Sequence, residues 1–134
     1  MDLDEFVNSV YLGDRGLKSI FIDGCNHEVK LQVTCISRVR GSSWDYYTEE
    51  DIDDGLIVFE GVTSIAFEPS GLVPNDFINE IRAERIVNSE NRYLVTISVG
   101  SVDAGGIHKE VLIRIHADSM ALEDPQKPRQ RIRK

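Results

Sequence analysis

The stretch RYLVTISVGSVDAGGIHKEVLIRIHA, residues 92–117, restricts the fold more than any other part of the chain. Tyr93, Val95 and Ile97 alternate with polar neighbours on one side of a glycine-bearing turn, and Val111, Ile113 and Ile115 do so on the other. Period-two alternation of β-branched residues around such a turn predicts a β-hairpin with one buried and one wet face. Centring the loop near Ala104 pairs Tyr93 with Ile115, Val95 with Ile113 and Ile97 with Val111. Thr96, Ser98, Glu110 and Arg114 then share the opposite face, with Leu94 and Leu112 intruding. That register puts one set of side chains into a core, and a slip of one residue would turn the whole apolar set toward water.

A second hairpin is expected over LKSIFIDGCNHEVKLQVTCISRVR, residues 17–40. With Gly24 to His27 as its loop, Ile22 faces Val29, Ile20 faces Leu31 and Lys18 faces Val33. Leu3, Phe6, Val7 and Val10 have helical spacing and predict a short N-terminal helix. LIVFEGVTSIAF, residues 56–67, reads as two short strands or one kinked at Gly61. After Pro69, Gly71 and Pro74, either Asn75 or Asp76 can cap a short helix carrying Phe77, Ile78 and Ile81, followed by a strand over 84–88. The expected class is therefore α+β. A single domain over residues 1–125 would hold one curved antiparallel sheet of about six to eight strands, an N-terminal helix and a short mid-chain helix. Residues 126–134 read as a basic, disordered tail.

The 134 residues suit one domain, and 41% apolar content places the chain among globular proteins. No apolar run is long enough for a membrane span, and the acidic, amphipathic N-terminus is unlike a signal peptide, so a cytoplasmic location is expected. Cys25 and Cys35 sit ten residues apart along one hairpin, too far to bridge, and are expected as reduced structural thiols. Charge is uneven: the last eight residues, KPRQRIRK, hold five of the 15 bases and none of the 23 acids. The remaining 10 bases against 23 acids leave residues 1–126 at −13. Such a body repels nucleic acid and draws basic partners, whereas the tail acts in the opposite sense.

The candidate site is SSWDYYTEEDIDDG, residues 42–55, where Trp44, Tyr46 and Tyr47 run into Asp45, Glu49, Glu50, Asp51, Asp53 and Asp54. A calcium loop starting at Glu49 would place Asp51, Asp53 and Glu60 at ligand positions, but it has Asp54 where glycine is needed and a strand-like sequence follows. No zinc set is expected either. Cys25 and His27 are too few, and His108 and His116 lie about 26 Å apart at strand rise. GSVDAGGIHK imitates phosphate-loop spacing but carries Gly106 and Ile107 where lysine and a hydroxyl are required, so it reads as a turn. No nucleophile elbow occurs, and neither cysteine has flanking bases to make it a thiolate. Nothing singles out one carboxylate pair, so neither an enzyme nor a cofactor is expected. Arg38 and Arg40 beside the aromatics could serve nucleic acid, but the adjoining carboxylates oppose phosphate. Protein recognition remains, with aromatic anchors and an acidic rim that steers a basic partner; the bland alternative is a buried aromatic beside a wet loop.

EFVNSVYLGDRGLKSIFIDG, CISRVR, WDYYTEEDIDDGLIVFEGV and IHADSMALEDP resemble a small bacterial family of uncharacterised proteins. In size, acidity and layout the chain is also similar to immunity proteins that neutralise secreted bacterial toxins. That resemblance implies an acidic face docked on the basic active site of a toxin, and it transfers no residue. The expected function is non-enzymatic protein binding of this kind. The runner-up is a small-ligand or carbohydrate-binding module using the concave face of the sheet.

Overall fold

The computed structural model describes residues 2–41, 49–88 and 92–134. Wherever the apolar pattern has period two, the chain is a strand, and every strand pairing is antiparallel. The N-terminal helix forms as expected: α1 (Leu3–Asn8) buries Leu3, Phe6 and Val7. Val10 already lies in a strand, β1 (Val10–Tyr11). Then come β2 (Leu17–Asp23), β3 (Glu28–Val33), β4 (Cys35–Arg38), β5 (Ile52–Asp53), β6 (Leu56–Glu60) and β7 (Ser64–Glu68). The remainder is β8 (Ile78–Arg85), β9 (Tyr93–Val102), β10 (His108–Ala117), β11 (Ser119–Glu123) and β12 (Arg131–Ile132).

These strands build a five-stranded sheet in the order β12-β11-β6-β3-β2, a four-stranded sheet β7-β10-β9-β8 and a small sheet β1-β4-β5. Val29, Leu31, Val33, Ile57, Phe59, Met120 and Leu122 from the first join Val95, Ile97, Val99, Ile113 and Ile115 from the second in one core. The α+β expectation is thus overturned. The protein is essentially all-β, with one six-residue helix among the described residues, and two facing sheets replace one curved sheet.

The mid-chain helix does not form. Ile78 to Arg85 is strand β8, pairing Ile81 with Ile97 and Ala83 with Val95. The would-be capping groups serve that strand's entry. Asn75 and Asp76 both donate their N–H to the Gly100 carbonyl at 3.1 Å. The Asn75 amide exchanges two further bonds with the Val102 backbone, at 2.8 and 3.0 Å, imitating one step of a ladder. Ile78, Ile81 and Ala83 fit either a helix or a strand face, and the unpaired flank of β9 decides between them.

The β2–β3 hairpin keeps the expected Ile22–Val29 and Ile20–Leu31 pairs, but Leu17 takes the place opposite Val33, with a bulge at Lys18. The bulge buries Leu17 and leaves Lys18 outside. In the β9–β10 hairpin the register lies two residues beyond the expected one: Tyr93 faces Ala117, Val95 faces Ile115 and Ile97 faces Ile113. A shift of two preserves the buried face. The turn sets it, because Asp103 Oδ1 accepts from the N–H groups of Gly105 and Ile107 and Gly106 takes φ +80°.

Two neighbouring corners join the sheets. β6 passes into β7 through Gly61, at φ +64°, and β10 passes into β11 through Asp118, whose N–H donates to the Glu60 carbonyl at 2.9 Å. The Thr63 N–H donates to the His116 carbonyl at 3.1 Å, so the two crossings run side by side. The basic C-terminal residues, expected as a disordered tail, instead return along β11, where Ile132 faces Leu122 and Arg131 faces Glu123.

Candidate functional site

Of the expected site residues, Trp44, Asp45, Tyr46 and Tyr47 lie outside the described residues. The rest surround β5, which pairs with β4 through Ile36–Ile52 and Cys35–Asp53. Asp54, at φ +53°, turns the chain back, and its N–H donates to the Thr34 carbonyl. This strand return is no calcium loop. Two of its carboxylates, Glu50 and Asp54, are taken up by cations of this chain. Arg40 grips Glu50 in a bidentate pair at 2.7 and 3.1 Å, which holds the Glu50 carboxyl below the usual carboxylate range. Lys18 meets Asp54 at 2.6 Å. Asp51 has one buried oxygen without a hydrogen-bond partner, while Glu49 and Asp53 are exposed.

Glu49, Glu50 and Asp51 line a cleft of about 260 Å³ together with Arg38, Lys127 and Lys134. Its walls therefore carry both signs. Arg38, 3% exposed, donates to the Ser9 carbonyl, the Ser9 hydroxyl and the Lys134 carbonyl, with its guanidinium 5.1 Å from the Phe6 ring centre. Burial, followed by the nearby Arg40, pulls the Arg38 pKa down.

A second surface lies at the end of the five-stranded sheet. β2 pairs with β3 on one flank and with no strand on the other among the described residues. Lys18, held by Asp54 at the bulge, guards its start. Beyond it, Phe21 is 50% exposed and Ile22 60%, and as successive strand residues they point to opposite faces. Each face has a shallow recess beside them. Phe21, Lys30 and Leu56 border one of about 290 Å³. Ile22, Val29, Val62 and Ile65 border another of about 170 Å³. The sequence reading missed this edge, although Ile20-Phe21-Ile22 carries a signal: three consecutive apolar residues break the alternation that β3 keeps.

The outer face of the same sheet carries a third assembly. Glu28 stands directly opposite Glu60, a pairing that repulsion would disfavour without a cation. Arg131 supplies one, donating to Glu28 at 2.6 and 3.0 Å and to Glu60 at 2.7 Å, with Glu123 3.5 Å from its Nε. Arg133 also grips Glu60, and Lys30 reaches Glu123 at 3.3 Å. The Arg133 hydrogen bonds, with help from Arg131, hold the Glu60 carboxyl at about 2 despite its burial. The contacts to Glu28 in turn make Arg131 a stronger base.

On the outside of the four-stranded sheet, Glu80, Arg82, Thr96, Ser98, Glu110 and Leu112 line a groove of about 210 Å³ without an aromatic ring. Among the described residues no cluster of three histidine, cysteine or acidic side chains is arranged to hold a metal ion. Burial pushes the Cys35 thiol up, away from a reactive thiolate, and both cysteines are free. No helix among the described residues is long and apolar enough to cross a membrane.

The sequence matches no curated protein. Among solved structures it is similar to the crystal structure of an uncharacterised protein from Neisseria gonorrhoeae. The two share 16% identity over 85% of this chain and 94% of the other, with a TM-score of 0.46. Neither that structure nor the matching family model is described as an immunity protein. The model of a family of unknown function, DUF6258, matches residues 1–134, and the chain belongs to that family.

Proposed function

We propose that the protein is a non-enzymatic protein-binding domain that takes an extended strand of its partner onto the open flank of β2. The carrying observation is the run from Ser19 to Ile22, which has no strand on its outer flank among the described residues, with Phe21 and Ile22 exposed on opposite faces beside a recess each. Strand addition supplies main-chain hydrogen bonds for affinity, and recesses for alternate side chains provide selectivity. The net charge of −8 favours a basic partner. The sharpest form of this reading is an immunity-type role in which that partner is a basic toxin. The runner-up is a small-ligand or carbohydrate-binding module; its carbohydrate form gains little from the polar groove outside the four-stranded sheet, which has no aromatic ring for a sugar to stack on.

The test takes a basic protein retained by the wild-type chain, purifies it, and measures its affinity for two variants. One carries Phe21→Asp and Ile22→Asp; the other replaces Glu49, Glu50, Asp51, Asp53 and Asp54 by their amides. Strand addition predicts at least about a tenfold loss for the first variant, since hot-spot truncations cost this much, and a small change for the second. The reverse pattern would move the interface to the acidic hairpin. Equal affinity of all three proteins would sink both forms of the reading.

A further inference from the structure

We propose that the outer face of β3, β6 and β11 is a receptor for an arginine-bearing strand from a basic partner, and that the chain's own segment Arg131–Arg133 is its resident competitor. The site shares Lys30 with the recess beside Phe21, but its carboxylates Glu28, Glu60 and Glu123 lie on β3, β6 and β11 and not on the β2 edge. Its acceptor side is built: the Glu28–Glu60 pair at one end, Glu123 at the other, and Val58 and Ala121 between them in register. Val58 and Ala121 are fully buried although they point away from the core between the sheets. They form an apolar floor beneath the path that the Arg131 side chain takes from Glu123 to Glu60. The occupant shows which ligand chemistry fits: planar guanidinium forks on carboxylates, from a segment in β conformation.

The resident segment is also suited to being displaced. It holds β11 by only two residue pairs, Leu122–Ile132 and Glu123–Arg131. Seven residues, 124–130, link it to β11 and include Pro125 and Pro128. Arg133 is half exposed and Ile132 is 38% exposed. A longer strand with arginines at alternate positions would make the same contacts and add ladder bonds beyond the two-residue β12. An arginine-rich partner therefore exchanges with the tail on a preformed site, and the tail sets the threshold for binding.

The probe is the synthetic peptide RQRIRK, copied from residues 129–134, titrated against the full chain. Arg131→Gln with Arg133→Gln removes the competitor's charges, so this variant should bind the peptide at least about tenfold more tightly than wild type. Adding Glu60→Gln to that variant should abolish the gain. Equal affinities for wild type and the double variant, or a gain that survives Glu60→Gln, would overturn the proposal. Should the double variant fail to fold, hydrogen exchange on the wild-type chain gives the decision. Millimolar peptide must speed exchange over the paired segment Arg131–Ile132, and unchanged exchange overturns the idea.

Discussion

Arg131, Arg133 and Ser119 all donate to the two oxygens of Glu60, and that convergence has a consequence for pH. The folded chain holds the Glu60 carboxyl at about 2, against an ordinary value of 4.5. A depressed carboxylate contributes stability that is fully present above the ordinary value and lost as pH falls through the folded value. The window therefore runs from about pH 5 down to about 2. Such a shift corresponds to roughly 3 kcal/mol at most. Screening around the half-exposed Arg133 reduces this to about 1–2 kcal/mol. Glu60→Gln should remove that increment, and urea midpoints at about pH 6 and pH 3 should differ less for the variant than for wild type. Equal differences would show that other carboxylates carry the acid sensitivity. Nothing local marks Glu60 for this role: in the sequence it closes LIVFE and is noticeable only as a stray calcium-ligand position.

Individual strands show how much a local pattern can specify. The alternation of β9 and β10 is enough to identify their buried faces, and a register two residues from the expected one leaves those faces unchanged. Ile97 at the centre of β9 is fully buried and Ile22 at the edge is 60% exposed, so the same truncation should separate them. Ile97→Ala should cost about 2–5 kcal/mol, from lost transfer energy and a cavity. Ile22→Ala should stay within about 0.5 kcal/mol, as surface substitutions do. Chemical denaturation of the two variants checks this, and a large loss at Ile22 would mean that β2 is covered in the free chain. The segment carrying Phe77, Ile78 and Ile81 illustrates the opposite case. Its spacing permits a helix, and only the unfilled flank of β9, with Asn75 bonded to Val102, makes it a strand.

For the whole molecule, the paired corners at Gly61 and Asp118 hold the two sheets in one core. A Cβ at Gly61 would collide with the Asp118 carboxylate and also force a side chain into positive φ. Gly61→Ala should therefore destabilise by about 2–3 kcal/mol, and Asp118→Ala in the same chain should recover part of the loss. Thermal unfolding of the single and double variants measures both effects, and a silent Gly61→Ala would mean that the corner can open without cost. The sequence by itself determined the antiparallel hairpins, the faces they bury and the amphipathic N-terminal helix. These follow from neighbours within a few residues and from a period of two or of about 3.6. Only the tertiary structure decided that the chain is essentially all-β, that β2 keeps an open flank among the described residues, and that the basic tail docks on the sheet. Arg131 meets Glu60 across 71 residues of chain and Glu28 across 103. No local periodicity carries information over such a separation, because what covers a face or neutralises a charge depends on the packing of the sheets.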